Sequence, residues 1–225
     1  MRDGARAGCH TTDAARRGGR LVTSACPVAT KATPMADILI FHHALGLTPG
    51  VQAFVDTLRQ AGHTVHAPDL YEGRRFDTLD AGVAHAKAVG FDTLVERGVR
   101  AADGLPPGLV PVGFSLGVLP AQKLAQTRPG ARGALLLYAC VPVASFSPTW
   151  PPAVPVQVHA AEADPYFVGD GDIDAARALL AQAPRAELFL YPGAQHLFAE
   201  VGPPWPRSGV AALLMQRVLA FLAAG

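Results

Sequence analysis

The chain has 225 residues, half of them hydrophobic and 16% charged, with a formal net charge of +1. That length buries one sizeable core and falls short of two full enzyme domains, and so apolar a composition excludes a disordered chain. A charge this small argues against nucleic acid as a partner, because tracking a phosphate backbone needs a dense basic surface. Three cysteines, Cys9, Cys26 and Cys140, do not make a disulfide framework and fit a reducing, cytoplasmic setting. Apolar runs such as 134–137 and 211–215 fall far short of the roughly 20 residues of a membrane span, so no membrane association is expected.

Residues 1–34 carry six basic and two acidic residues and no sustained period. They read as an unstructured extension or the product of an upstream start codon, with Met35 opening the folded domain at 35–225. From there, short apolar runs alternate with amphipathic stretches. Strands are predicted at 37–41, 64–67, 109–113, 133–138, 155–160 and 186–191. The first helix has Thr48 as cap, Pro49 in its first turn, and Val51, Phe54, Val55, Leu58 and Ala61 on one face. Further helices are predicted at 79–89, 91–102, 116–128, 173–183 and 210–223. This alternation describes an α/β fold: a doubly wound, mostly parallel sheet of about six strands whose ligand site lies at the carboxyl edge.

Gly113-Phe114-Ser115-Leu116-Gly117 matches Gly-x-Ser-x-Gly and stands between a predicted strand and a predicted helix, where that motif places a nucleophile. The serine sits on a strained turn, and side chains two residues either way would collide with neighbouring backbone. The turn lifts the hydroxyl above the sheet and leaves the next amide facing a substrate. Ordinary glycine-rich turns produce the same bare pattern; the flanking strand and helix separate the two readings.

A serine hydroxyl is a weak nucleophile until a base takes its proton. Two histidines follow Ser115. His159 falls inside a predicted strand and reads as a satisfied core or surface residue. His196 follows the last strand on the loop Tyr191-Pro192-Gly193-Ala194-Gln195-His196, at the edge where a base must stand. The acid that orients it belongs after the preceding strand, and Asp164 is there. Glu162, Asp170, Asp172 and Asp174 compete, the last three reading as surface groups near a helix start. The order serine, acid, histidine is that of α/β-hydrolases. The expected activity is cofactor-free hydrolysis of a small-molecule ester, lactone or thioester. Two rival readings are a non-catalytic small-molecule-binding protein and a peptidase, both on the same fold.

Across 35–225 the sequence resembles the dienelactone hydrolase family. The matching segments are 38–47, Pro68-Asp69-Leu70-Tyr71, 113–117, Asp164-Pro165 and 192–198. The resemblance implies Ser115, Asp164 and His196 as the triad and the amides of Ala44 and Leu116 as the oxyanion hole. It departs from the family in three places: Ser115 replaces a cysteine nucleophile, His43 stands where a glutamate precedes the first oxyanion amide, and Glu200 replaces an arginine that binds a substrate carboxylate. An acidic Glu200 argues against dienelactone itself as substrate. Arg74 and Arg75, one or two residues from a second family arginine, either meet an anion or sit in solvent. The expected substrate pocket is therefore His43, Tyr71, Arg74, Phe114, Trp150, Phe198 and Glu200.

His42 and His43 are adjacent in a strand, so they point to opposite faces and do not share a metal ion; no metal site is expected. The proline-rich loops 142–155 and 202–206, with Phe146, Trp150 and Trp205, read either as a rim over the site or as packing on the core.

Overall fold

The computed structural model describes residues 35–200 and 209–224. Its strands are β1 (Asp37–Phe41), β2 (Thr64–His66), β3 (Leu109–Phe114), β4 (Ala134–Leu137), β5 (Val156–Ala161) and β6 (Ala186–Tyr191). All neighbours pair in parallel, in the order β2-β1-β3-β4-β5-β6. The helices are α1 (Pro49–Gln60), α2 (Leu79–Val89), α3 (Phe91–Arg100), α4 (Val118–Thr127), α5 (Pro165–Gly169), α6 (Asp172–Gln182) and α7 (Gly209–Ala224). Among the described residues no helix is long and apolar enough to cross a membrane.

The period of two along each strand divides the core between the sheet's faces. Ile38 and Ile40 of β1 pack with Val51, Phe54 and Leu58 of α1 and Leu214 and Val218 of α7. Leu39 and Phe41 face the other way, toward Leu94 of α3, Val118 and Leu124 of α4, and Leu179 of α6. A fully buried leucine such as Leu58 is worth about 2 to 5 kcal/mol against alanine at such a position. The first turn of α1 is closed by Thr48, whose hydroxyl accepts from the Val51 amide at 3.3 Å.

The chain leaves β1 toward β2 on one side and returns to β3 on the other, so the sheet's switch point lies between β1 and β3. Phe41 and Gly113 are register partners there. The turn after β1 and the turn after β3 thus emerge side by side, and they carry Ala44 and Ser115.

Three features differ from expectation. The predicted helix 116–128 begins as a 3-10 turn, Ser115–Gly117, before α4. The loop 142–155 contains a 3-10 turn, Val143–Ser145, and α5 is an additional helix of five residues. Elements this short have no side-chain period to read.

Candidate active site

Ser115 has φ of 49°, a left-handed conformation that costs a non-glycine residue energy and persists only under strong surrounding constraint. The constraint is visible at the two glycines. A Cβ on Gly113 would stand 2.5 Å from the Gly117 carbonyl oxygen, and one on Gly117 would stand 2.3 Å from the Phe41 carbonyl oxygen. Only glycine lets α4 start this close to β1 and β3, and that closeness holds the serine above the sheet edge.

The Ser115 Oγ lies 2.9 Å from His196 Nε2, and His196 Nδ1 lies 2.6 Å from Asp164 Oδ2. Nδ1 donates to the carboxylate, which leaves the Nε2 lone pair to accept from the serine hydroxyl. Asp164 is fully buried and caps α5, its Oδ1 accepting from the Tyr166 amide at 3.0 Å. The short helix therefore aims the acid. Its loop is tied to the histidine loop by Glu162 N to Tyr191 O at 2.8 Å and Ala163 N to Gly193 O at 3.0 Å. Tyr166 also leans on the His196 ring at 4.8 Å between centroids, and Tyr138 meets that ring edge-on at 5.8 Å.

Ser115, Leu116, His196 and Ala44 line one cleft of about 210 Å³. Its apolar wall comes from Leu79, Val83, Phe91, Leu119 and Val141, and its polar side from Tyr138, Tyr166, Asp170 and Asp172. The turn that presents Ala44 is tightly held. A Cβ on Gly82 of α2 would fall 2.1 Å from the Ala44 carbonyl oxygen, so α2 packs directly on that peptide. His42 secures one side, donating from Nδ1 to the His43 carbonyl at 2.8 Å and accepting the Leu70 amide at Nε2 at 3.0 Å. Burial lowers its pKa, so it works as a neutral ring. With both nitrogens occupied, His42 has none left for a metal, and among the described residues no group of three or more His, Cys, Asp or Glu could hold one.

None of the seven residues expected from the sequence to form the substrate pocket lines this cleft. His43 is fully buried behind the Ala44 turn: Nδ1 accepts from the Leu45 amide at 3.1 Å, and Nε2 is 2.9 Å from Glu200 Oε1, off the axis of a well-directed hydrogen bond. Glu200 also accepts from the Thr48 hydroxyl and packs on Gly50, so it is spent on the start of α1 and not on the cleft. Tyr71 is a core residue, its ring against His42 and His85 and its hydroxyl donating to the Gly82 carbonyl at 3.3 Å. Phe114 points below the sheet edge against Phe54 at 5.0 Å. Trp150 is buried with Nε1 donating to the Val154 carbonyl at 2.8 Å, which makes the loop it sits on core packing. Phe198 sits between Tyr138, which it meets edge-on, and the tilted ring of Tyr191, and Arg74 is exposed away from the cleft. Trp205 lies outside the described residues, as does the segment 1–34.

Asp172, read from the sequence as a surface group, instead lines the cleft and accepts the Cys140 amide at 3.0 Å. Burial raises its carboxyl from 3.8 to about 6; the Cys140 hydrogen bond opposes this, and the Asp170 and Asp164 charges add to it. Burial likewise pushes the Cys140 thiol up to about 12, so it is no competing nucleophile. His159 is a satisfied core histidine: Tyr191 donates to Nδ1 at 2.8 Å, Nε2 donates to Gln157 Oε1 at 3.2 Å, and burial followed by Arg217 depresses its pKa to about 3.

The model of the dienelactone hydrolase family matches residues 24–224. No curated protein matches the chain. Among solved structures, a Klebsiella pneumoniae subsp. pneumoniae protein provisionally assigned as a dienelactone hydrolase superposes with a TM-score of 0.60 at 21% identity, over 88% of this chain and 90% of that one. A dienelactone hydrolase-like promiscuous phosphotriesterase from metagenomic libraries gives 0.60 at 16% identity, over 86% and 87%. An esterase from Thermogutta terrifontis gives 0.51 at 17% identity, over 86% and 85%. At these identities the likeness is one of fold.

Proposed function

Because the chain belongs to the dienelactone hydrolase family, whose members and structural neighbours are hydrolases and esterases, we propose that it hydrolyses a small ester, lactone or thioester through a Ser115-His196-Asp164 triad. The observation that carries this reading is the unbroken line from Ser115 Oγ to His196 Nε2 at 2.9 Å and from His196 Nδ1 to Asp164 Oδ2 at 2.6 Å.

His196 takes the hydroxyl proton as Ser115 Oγ bonds to the acyl carbon, and Asp164 stabilises the resulting imidazolium. The amides of Ala44 and Leu116 bind the oxyanion, a preorganised arrangement because both turns are clamped by α2 and by the glycines of the elbow. As the tetrahedral intermediate collapses, Nε2–H passes its proton to the leaving alcohol or thiol. A water then repeats the sequence on the acyl-enzyme and frees Ser115. Side chains, amides and water complete this chemistry without a cofactor.

A cleft of about 210 Å³ suits a small acyl group and is too small to seat a peptide chain, which favours the esterase reading over the peptidase one. The scarcity of cysteine and the buried Cys140 thiol favour a cytoplasmic setting. A fluorophosphonate probe followed by peptide mass analysis tests the function: the label is expected on Ser115, together with turnover of a p-nitrophenyl ester that Ser115→Ala abolishes. Absence of both label and turnover supports the non-catalytic alternative.

A further inference from the structure

We propose that the cleft prefers substrates that carry an alkylammonium group, and that Asp170, Asp172, Tyr166 and Phe91 supply this selectivity. The inference rests on the hydrolase reading above and names its substrate class.

The carboxylates on the cleft wall are Asp170 and Asp172, and no lysine or arginine lines it. Among the described residues neither carboxylate has an ion-pair partner. A third carboxylate, Asp164, lies close enough to act on Asp172. These two carboxylates, Asp172 half-buried and Asp170 exposed and so more open to screening by salt, favour a positive group in the cleft and disfavour a negative one.

The second observation concerns the kind of cation. Phe91 and Tyr166 are both 41% exposed, and both line the same cleft. Large aromatic surface left open beside carboxylates attracts a weakly hydrated organic cation through the ring faces. A small, strongly hydrated metal ion is poorly served by walls of this kind. The apolar residues Leu79 and Leu119 then accommodate the alkyl part of the molecule. The charge discrimination expected from the sequence at Glu200 thus falls to different residues.

The test uses two matched pairs. In one, butyrylthiocholine is compared with the isosteric thioester in which tert-butyl replaces trimethylammonium. In the other, the same replacement is made at the end of the acyl chain of a simple alkyl thioester. In at least one pair, kcat/KM at low ionic strength should favour the cation by about five- to tenfold. The ratio should fall toward unity in Asp170→Asn and, in the wild type, as ionic strength rises. A carboxylate at the same position should give the poorest substrate. Equal or reversed ratios in both pairs overturn the proposal while leaving the hydrolase reading intact. If no thioester is turned over, the hydrolase reading stands or falls on the Ser115 label and the p-nitrophenyl ester. Calorimetric titration of Ser115→Ala with each member of the two pairs then decides the charge preference alone: tighter binding of the cation upholds it, and indifference sinks it.

Discussion

His43 Nε2 and Glu200 Oε1 stand 2.9 Å apart, joining the turn that carries the Ala44 amide to the loop that carries His196. The His43 ring has no exposed surface and the Glu200 side chain is only 13% exposed, so the contact is shielded from solvent. Glu200 is thereby a brace and lies off the wall that a substrate touches. Replacing it with arginine would set a cation against a buried imidazole and crowd Gly50. Glu200→Arg is expected to lose about 2 to 4 kcal/mol of stability, read by urea denaturation, without gaining activity on carboxylated esters. Glu200→Gln keeps the shape and should lower kcat more than it moves KM.

The two histidines after Ser115 separate by function. His196→Ala is expected to lower kcat by about 10⁴-fold or more while leaving the melting transition close to wild type. His159→Ala strands the Tyr191 hydroxyl and the Gln157 side chain in the core, so it should cost about 2 to 4 kcal/mol of stability and leave kcat/KM on a neutral ester nearly unchanged. Comparable activity losses from the two variants would remove His196 from the role of base.

Glycine at the elbow is required by contact and not by convention. Gly117→Ala drives a methyl to 2.3 Å from the Phe41 carbonyl oxygen, and Gly113→Ala drives one to 2.5 Å from the Gly117 carbonyl oxygen. Each is expected to cost about 1 to 3 kcal/mol or more, with a loss of turnover larger than the loss of folded protein, because the displaced element is the one presenting Ser115. Circular dichroism melts alongside active-site titration separate the two effects.

Asp172 makes stability depend on pH with a definite sign. Its carboxyl ionises near 3.8 when unfolded and near 6 in the folded protein, chiefly because of burial. Below the lower value both states are protonated. Between the two the unfolded chain has released its proton and the folded one has not, so this group's contribution to stability is lost as pH rises to about 6. Asp172→Asn should flatten the stability curve across that window, since asparagine keeps an acceptor for the Cys140 amide. The cation-to-neutral kcat/KM ratio should rise as pH passes through about 6, where the folded carboxyl gains its charge, since pH effects common to both substrates cancel in the ratio.

Much of this protein is determined by the sequence acting locally. Strands β1 and β6 and helix α2 fall where alternation and helical spacing put them. The strand-Ser115-helix turn, the loop ending in His196 and the acid after β5 are likewise visible, because each is announced by glycine, proline or a polar residue at the end of an apolar run. Helix α5 is invisible at that level: five residues contain no period, and its worth lies in the bond from Asp164 to the Tyr166 amide. The identity of the cleft wall is also a tertiary matter. Loop side chains such as Phe198, Trp150 and Glu200 take whichever direction satisfies core packing and buried partners, and no period fixes that direction in advance. Asp172 turns inward for the Cys140 amide, 32 positions away in the chain, and Glu200 for Thr48, 152 positions away. Sequence sets which groups are available at the carboxyl edge of the sheet; the long-range contacts decide which of them face a substrate, because only those contacts settle where each side chain is desolvated and what it must bond.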